Sequence, residues 1–178
     1  AFPYVGATVT RSYVAAEHPL YAGGELYRWD YNPSDALQLL EDVGWLDEDG
    51  DGIREAHGVS GVSERTPFSV TLLTNSDHLA HRRTAHILTE NLAACGIGVS
   101  VEYMPSQEFF ADGPDGPIFG RRFDLALFSW LNDLDAPCWL YISDEIPRSE
   151  NWWSTSNNPG YASEEFDATC MAAMAAFP

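Results

Sequence analysis

Asp47, Asp49 and Asp51 stand at alternate positions, Gly52 follows, and Glu55 comes three residues later. Alternating carboxylates with a glycine at the sixth position suit a hard cation such as Ca²⁺, which collects oxygen ligands around a sharp turn that glycine permits. With Asp47 in the first position, Ile53 offers its carbonyl and Glu55 reaches the ninth. The twelfth is Gly58, where an EF-hand carries a bidentate glutamate. That absence disfavours an EF-hand and leaves two readings, a weak or incomplete Ca²⁺ site and a solvated acidic turn. Glu48 is expected to face solvent.

Other reactive residue types form no convincing constellation. His78 and His81 lie three apart on an expected helix, His86 falls on another face, and no carboxylate supports them, so all three read as surface histidines. GVSGVSE at 58–64 fails the G-x-S-x-G pattern at Val62, and GPDGPIFG has no lysine to serve a phosphate loop. No acid, base and nucleophile converge, so the chain reads as no enzyme. Ser129, Trp130, Asn132, Asp133 and Asp135 are more promising. They follow an apolar strand, FDLALFSW, and ligands of open α/β sheets bind at the carboxyl ends of strands.

The acidic loop is introduced by a helix over 33–43. Asn32 can cap it, Pro33 suits its first turn, and Asp35 meets the positive end of its dipole. Ala36, Leu37, Leu39, Leu40 and Val43 form one apolar face. Gly44 is a left-handed cap, over which Trp45 and Leu46 can fold back. Further on, Phe68 to Thr74 is a strand, Asn75 or Ser76 caps a helix over about 77–95, and Ile97 to Tyr103 alternates as a second strand. Ala85, Leu88, Leu92 and Cys95 supply the inward stripe of that helix. Strand, helix and strand joined this tightly make a βαβ unit with parallel strands. Phe123 to Trp130, apolar on both faces after Asp124, fits a central buried strand. Residues 105–110 suit a short helix, and the tail from Ala162 another. Residues 1–30 read as an extended lead-in.

Composition narrows the partners. Net charge is −18, from 27 acidic against nine basic residues, and a surface of that sign repels phosphate backbones and anionic membranes. Nucleic acid is therefore excluded as a partner. No apolar run approaches the length of a membrane helix, and no charged-then-apolar leader opens the sequence. Of three cysteines, Cys95 falls on a helix's apolar face as a buried thiol, and Cys138 and Cys170 can pair in an oxidising compartment.

Helix, glycine cap, Gly-Trp and DxDGDG in that order resemble the extracellular solute-binding proteins of family 5, the peptide- and nickel-type receptors of ABC importers. The stretch from Trp130 to Pro137 is similar to the family's W-x-A-D-Y-x-D-P, with Asn132 for alanine, Leu134 for tyrosine and Ala136 before the proline. A third match runs over 151–173, through Trp152 or Trp153, Asn157, Asn158, Gly160, Tyr161, Phe166 and Asp167, so the resemblance extends from about residue 30 to the end.

The resemblance implies an α/β fold, one lobe of a type II periplasmic-binding-protein architecture with a mostly parallel sheet flanked by helices. Residues 31–178 would be a carboxyl-terminal lobe truncated from a longer receptor whose other lobe lies elsewhere in the same chain. The work implied is non-catalytic capture of a small solute, a peptide foremost, in the periplasm or outside the cell by a membrane-anchored protein that delivers it to ABC permease subunits. Asp133 matches the aspartate that meets a bound peptide's α-amino group in the family, with Trp130, Asn132 and Asp135 beside it. A self-contained Ca²⁺-dependent extracellular interaction module is the alternative, and a hydrolase using Ser60 and His81 ranks third.

Overall fold

The computed structural model describes residues 11–24, 26–130 and 137–176. Two compact units divide the chain, Tyr31–Ser129 on one hand and Ala1–Asp30 with Trp130–Pro178 on the other. Among the described residues, no helix is long and apolar enough to cross a membrane.

The first unit opens with α1, Pro33–Asp42, whose first turn is capped as the sequence indicates: Asn32 Oδ1 accepts from the Asp35 amide at 3.3 Å. Its apolar face is only half covered, because Leu39 and Val43 are exposed and no residue of the helix is buried. Gly44 ends it at φ +98°, and a Cβ there would sit 2.2 Å from the His57 carbonyl oxygen. β1, Trp45–Leu46, pairs antiparallel with β2, Glu55–Ala56, and the Trp45 ring stacks on Phe68 with centroids 4.3 Å apart. The acidic loop is thus the tip of a small hairpin.

The main sheet follows the expected βαβ unit. β3, Ser69–Asn75, runs parallel to β4, Gly98–Met104, through the crossover helix α2, Leu79–Ala93. α3 is a single turn, Ser106–Phe109. β5, Leu125–Leu127, pairs parallel with β3 on its other side, which gives the order β4-β3-β5. The expected central strand at 123–130 is therefore shorter than its apolar run and lies at an edge among the described strands. Two neighbours explain this. Asp124 turns its carboxylate to the Thr71 amide at 2.8 Å, and Phe128 leaves the ladder to pack edge-on against Phe109 and Phe110. β3 takes the centre, with Leu72, Leu73 and Thr74 buried. Leu73 joins Phe109 and Ile118 in the core, flanked by Met104, Phe123, Ala126 and Phe128. Leu72 points to the opposite face by strand alternation.

One side chain ties the hairpin to the sheet. Arg54 is buried, donating from Nε to the Cys95 carbonyl at 2.9 Å and from Nη1 to the Trp45 carbonyl at 2.7 Å. Its Nη2 also meets the half-exposed Glu41 carboxylate at 3.2 Å.

The second unit is built from 3₁₀ turns at Pro137–Tyr141, Ser143–Glu145 and Ser149–Asn151, followed by α4, Glu164–Ala176. Cys138 and Cys170 are bonded across a Cα separation of 5.7 Å, and Cys95 of the first unit is a buried free thiol. Asn157, fully buried, donates to the carbonyls of Tyr141, Ile142 and Tyr161 and accepts from the amides of Gly160 and Tyr161. That side chain stands in for backbone pairing where the chain has no ladder. Trp152 is exposed and Trp153 half-buried. The lead-in turns twice between Ala15 and Tyr21 where extended chain was expected.

Candidate functional site

The carboxyl ends of β3, β4 and β5 carry a continuous polar chain within the first unit. Asn75 closes β3, Ser106 opens the turn after β4, and Ser129 stands two residues past β5. His81, in the first turn of α2, joins them. Its Nε2 lies 2.8 Å from Ser129 Oγ and its Nδ1 makes a short hydrogen bond with Asn75 Oδ1. Asn75 Nδ2 donates to Ser106 Oγ at 3.1 Å, and the Ser106 amide donates to Asp77 Oδ2 at 2.9 Å. His81 and Asn75 are buried, whereas Ser129 is exposed and ends the chain at solvent. Burial, then the neighbouring His78 whose ring stacks on it at 4.4 Å, hold the His81 pKa below the ordinary imidazole value. Asp77 is also held low, first by the Ser106 amide and next by the Ser106 hydroxyl.

His81 is thus no surface histidine. The sequence carried a signal for it: His81 is four residues before Ala85 and extends that helix's inward stripe by one turn. Asn75 was expected as a cap of α2, yet its amide is taken up by His81 and Ser106. The residue before α2 is His78, which makes no side-chain cap bond.

Of the sequence-derived solute residues, Trp130 is exposed. Asn132, Asp133 and Asp135 lie outside the described residues.

At the hairpin tip the structure brings Asp47, Asp49 and Glu55 together, with one carboxylate oxygen of each within 4.8 Å of the others. Asp51 is not part of that group. Much of the acidic lone-pair capacity goes to the loop itself. Asp47 accepts from the amides of Gly50 and Gly52, Asp49 from Asp51, Asp51 from Ile53, and Glu55 from Glu48. Glu48 faces solvent as expected, and Arg65 bonds it there at 2.8 Å. The donor set fits a Ca²⁺ ion in part: three carboxylates converge, and Gly58 brings no side chain where a bidentate ligand would stand.

The profile of the bacterial extracellular solute-binding proteins, family 5 (middle), matches residues 3–145, well over half of the sequence. The chain belongs to this family. The match begins far ahead of residue 30, so the lead-in is part of it, and it stops before the correspondence at 151–173. Oligopeptide-binding protein AppA of Bacillus subtilis (strain 168) is 33% identical over 75 residues, 42% of this chain and 12% of AppA. The oligopeptide-binding protein from Thermus thermophilus, solved with a pentapeptide, superposes with a TM-score of 0.73 at 22% identity, covering 93% of this chain and 28% of that one. NikA from Brucella suis, solved with Fe(III)-EDTA, gives 0.65 at 20% identity over 93% of this chain and 30% of its own. The fold of this family 5 chain is accordingly one lobe of a type II periplasmic binding protein, and the chain spans less than a third of these relatives.

Proposed function

We propose that this chain is part of a longer receptor that captures a small solute outside the membrane, without chemical change, and hands it to ABC permease subunits. A peptide is the solute class we favour. AppA and the Thermus protein are named as oligopeptide-binding proteins, and AppA has been solved with a nonapeptide. The observation that carries the reading is the polar chain from Asp77 to Ser129 at the carboxyl edge of a parallel sheet, where ligands of open α/β folds dock. Closure of a second lobe, contributed by the rest of the receptor, supplies the remaining contacts and excludes water. Family membership supports an extracellular or periplasmic location, and we extend this to a membrane-anchored receptor.

Trp130, Asn132, Asp133 and Asp135 are proposed as solute contacts, with Asp133 taking the cationic end of a peptide through a charge-assisted hydrogen bond. Replacing Asp133 with alanine in the intact receptor should weaken a peptide with a free amino end by about 2–3 kcal/mol and leave an acetylated one unaffected. Equal losses for both peptides would remove Asp133 from this role.

A Ca²⁺ site at the hairpin tip is a second, independent proposal, favoured by the convergence of Asp47, Asp49 and Glu55. These three would hold the ion, with the Ile53 carbonyl as a further ligand and Asp51 recruited only if the loop rearranges. The ion would stiffen the hairpin.

A further inference from the structure

The polar chain at the sheet edge has a direction, set by the seating of the Asn75 amide between Ser106 and His81. The Asp77 carboxylate accepts from the Ser106 amide. The Ser106 oxygen accepts from Asn75 Nδ2, which leaves Asn75 Oδ1 facing His81. An amide oxygen only accepts, so His81 carries its proton on Nδ1. Neutral imidazole then has a bare Nε2, and Ser129, 2.8 Å away, donates its hydroxyl proton inward to it. Each donor in the series is determined by the one before it. What reaches solvent is a serine oxygen whose remaining lone pairs can only accept.

We propose that Ser129 is a specificity-determining residue of the solute site, selecting a hydrogen-bond donor of the solute, such as an amide N–H or an ammonium, because the chain from Ser106 through Asn75 and His81 holds its proton inward. This rests on the solute-capture reading above. A hydroxyl free to rotate would accept or donate equally and discriminate little.

The selection reverses with acid. A proton on His81 Nε2 makes the ring donate to Ser129, whose own proton then turns outward toward a solute acceptor such as a carboxylate. The groups facing the ring are His78, stacked on it, Asn75 from β3 and Ser129 from beyond β5, and Asp77 lies beyond them on the Ser106 amide. Of these, His78 and Asp77 titrate. Burial and His78 disfavour the cation, so the reversal falls below the ordinary imidazole range.

Two measurements test the proposal. Nitrogen NMR of the histidine-labelled 178-residue chain at about pH 7.5 reads the tautomer directly, since that pH lies above the ordinary imidazole pKa. The expected result is His81 protonated on Nδ1 alone, and an Nε2–H tautomer or a cation overturns the proposal. The second uses the intact receptor and a mixed pentapeptide pool. The tightest peptide retained by wild type should bind Ser129→Ala about tenfold more weakly, the loss of one solute hydrogen bond, with Ser129→Thr restoring most of it. An unchanged affinity in Ser129→Ala overturns the proposal while leaving peptide capture standing. A receptor that retains no peptide, with the Nδ1 tautomer in place, overturns the capture reading and the role of Ser129 with it.

Discussion

Arg54 and Gly96 are fitted to each other across 42 positions of sequence. The Arg54 amide donates to the Gly96 carbonyl at 2.8 Å, and a Cβ on Gly96 would come within 2.7 Å of Arg54 Cγ. Gly96 also sits at φ +80°, open to glycine and strained for other residues. The guanidinium meanwhile supplies donors to carbonyls that end α2 and begin β1, so one buried side chain joins helix end, hairpin and sheet.

Replacing Arg54 with alanine should therefore destabilise the chain by about 3 kcal/mol, since it strands buried carbonyls and removes a buried cation's packing. Lysine should recover only part of this, because an ammonium cannot span both carbonyls and Glu41 as a planar fork does. Urea unfolding checks both. A midpoint for Arg54→Ala within error of wild type would show that the contacts are incidental.

The pH dependence of stability should carry the signature of His81. Its pKa is lowered in the fold, so the unfolded chain takes up a proton first as pH falls. Stability contributed by neutral His81 is present above the unfolded value near 6.5 and is lost as pH drops through the lower folded value. His81→Gln should flatten that part of the curve. Melting temperatures of both proteins through this window measure it, and parallel curves would contradict the buried, neutral assignment.

The hairpin tip should bind Ca²⁺ weakly, at millimolar to sub-millimolar affinity, as extracellular sites with few ligands do. Calorimetric titration of wild type and Asp47→Asn is the check. No heat in wild type, together with an unchanged melting temperature in Ca²⁺ and in chelator, would leave the acidic turn as a solvated one.

What the sequence disclosed follows from how local each signal is. The cap at Asn32, the left-handed Gly44 and the βαβ unit of 69–104 are set by near neighbours and by periodicity, and all were legible. The place of β5 was not, because it depends on Asp124 finding the Thr71 amide 53 residues away. Trp45 as a hairpin residue depends on Phe68 in the same manner. His81 was misjudged for a related reason: a histidine is polar by composition, and only its partners Asn75 and Ser129 make burial affordable. The disulfide was open at the sequence level because proximity of Cys138 to Cys170 is a tertiary fact.

The central claim, that this chain is part of a two-lobed solute trap, is tested most directly by affinity. One pentapeptide, selected by the intact receptor, is titrated calorimetrically into that receptor and into the 178-residue chain alone. A cleft that has lost its opposing wall and its exclusion of water should lose about 4 kcal/mol, which turns a micromolar site into one near millimolar. Loss on that scale is the expected result, and equal affinity for receptor and chain would contradict the account.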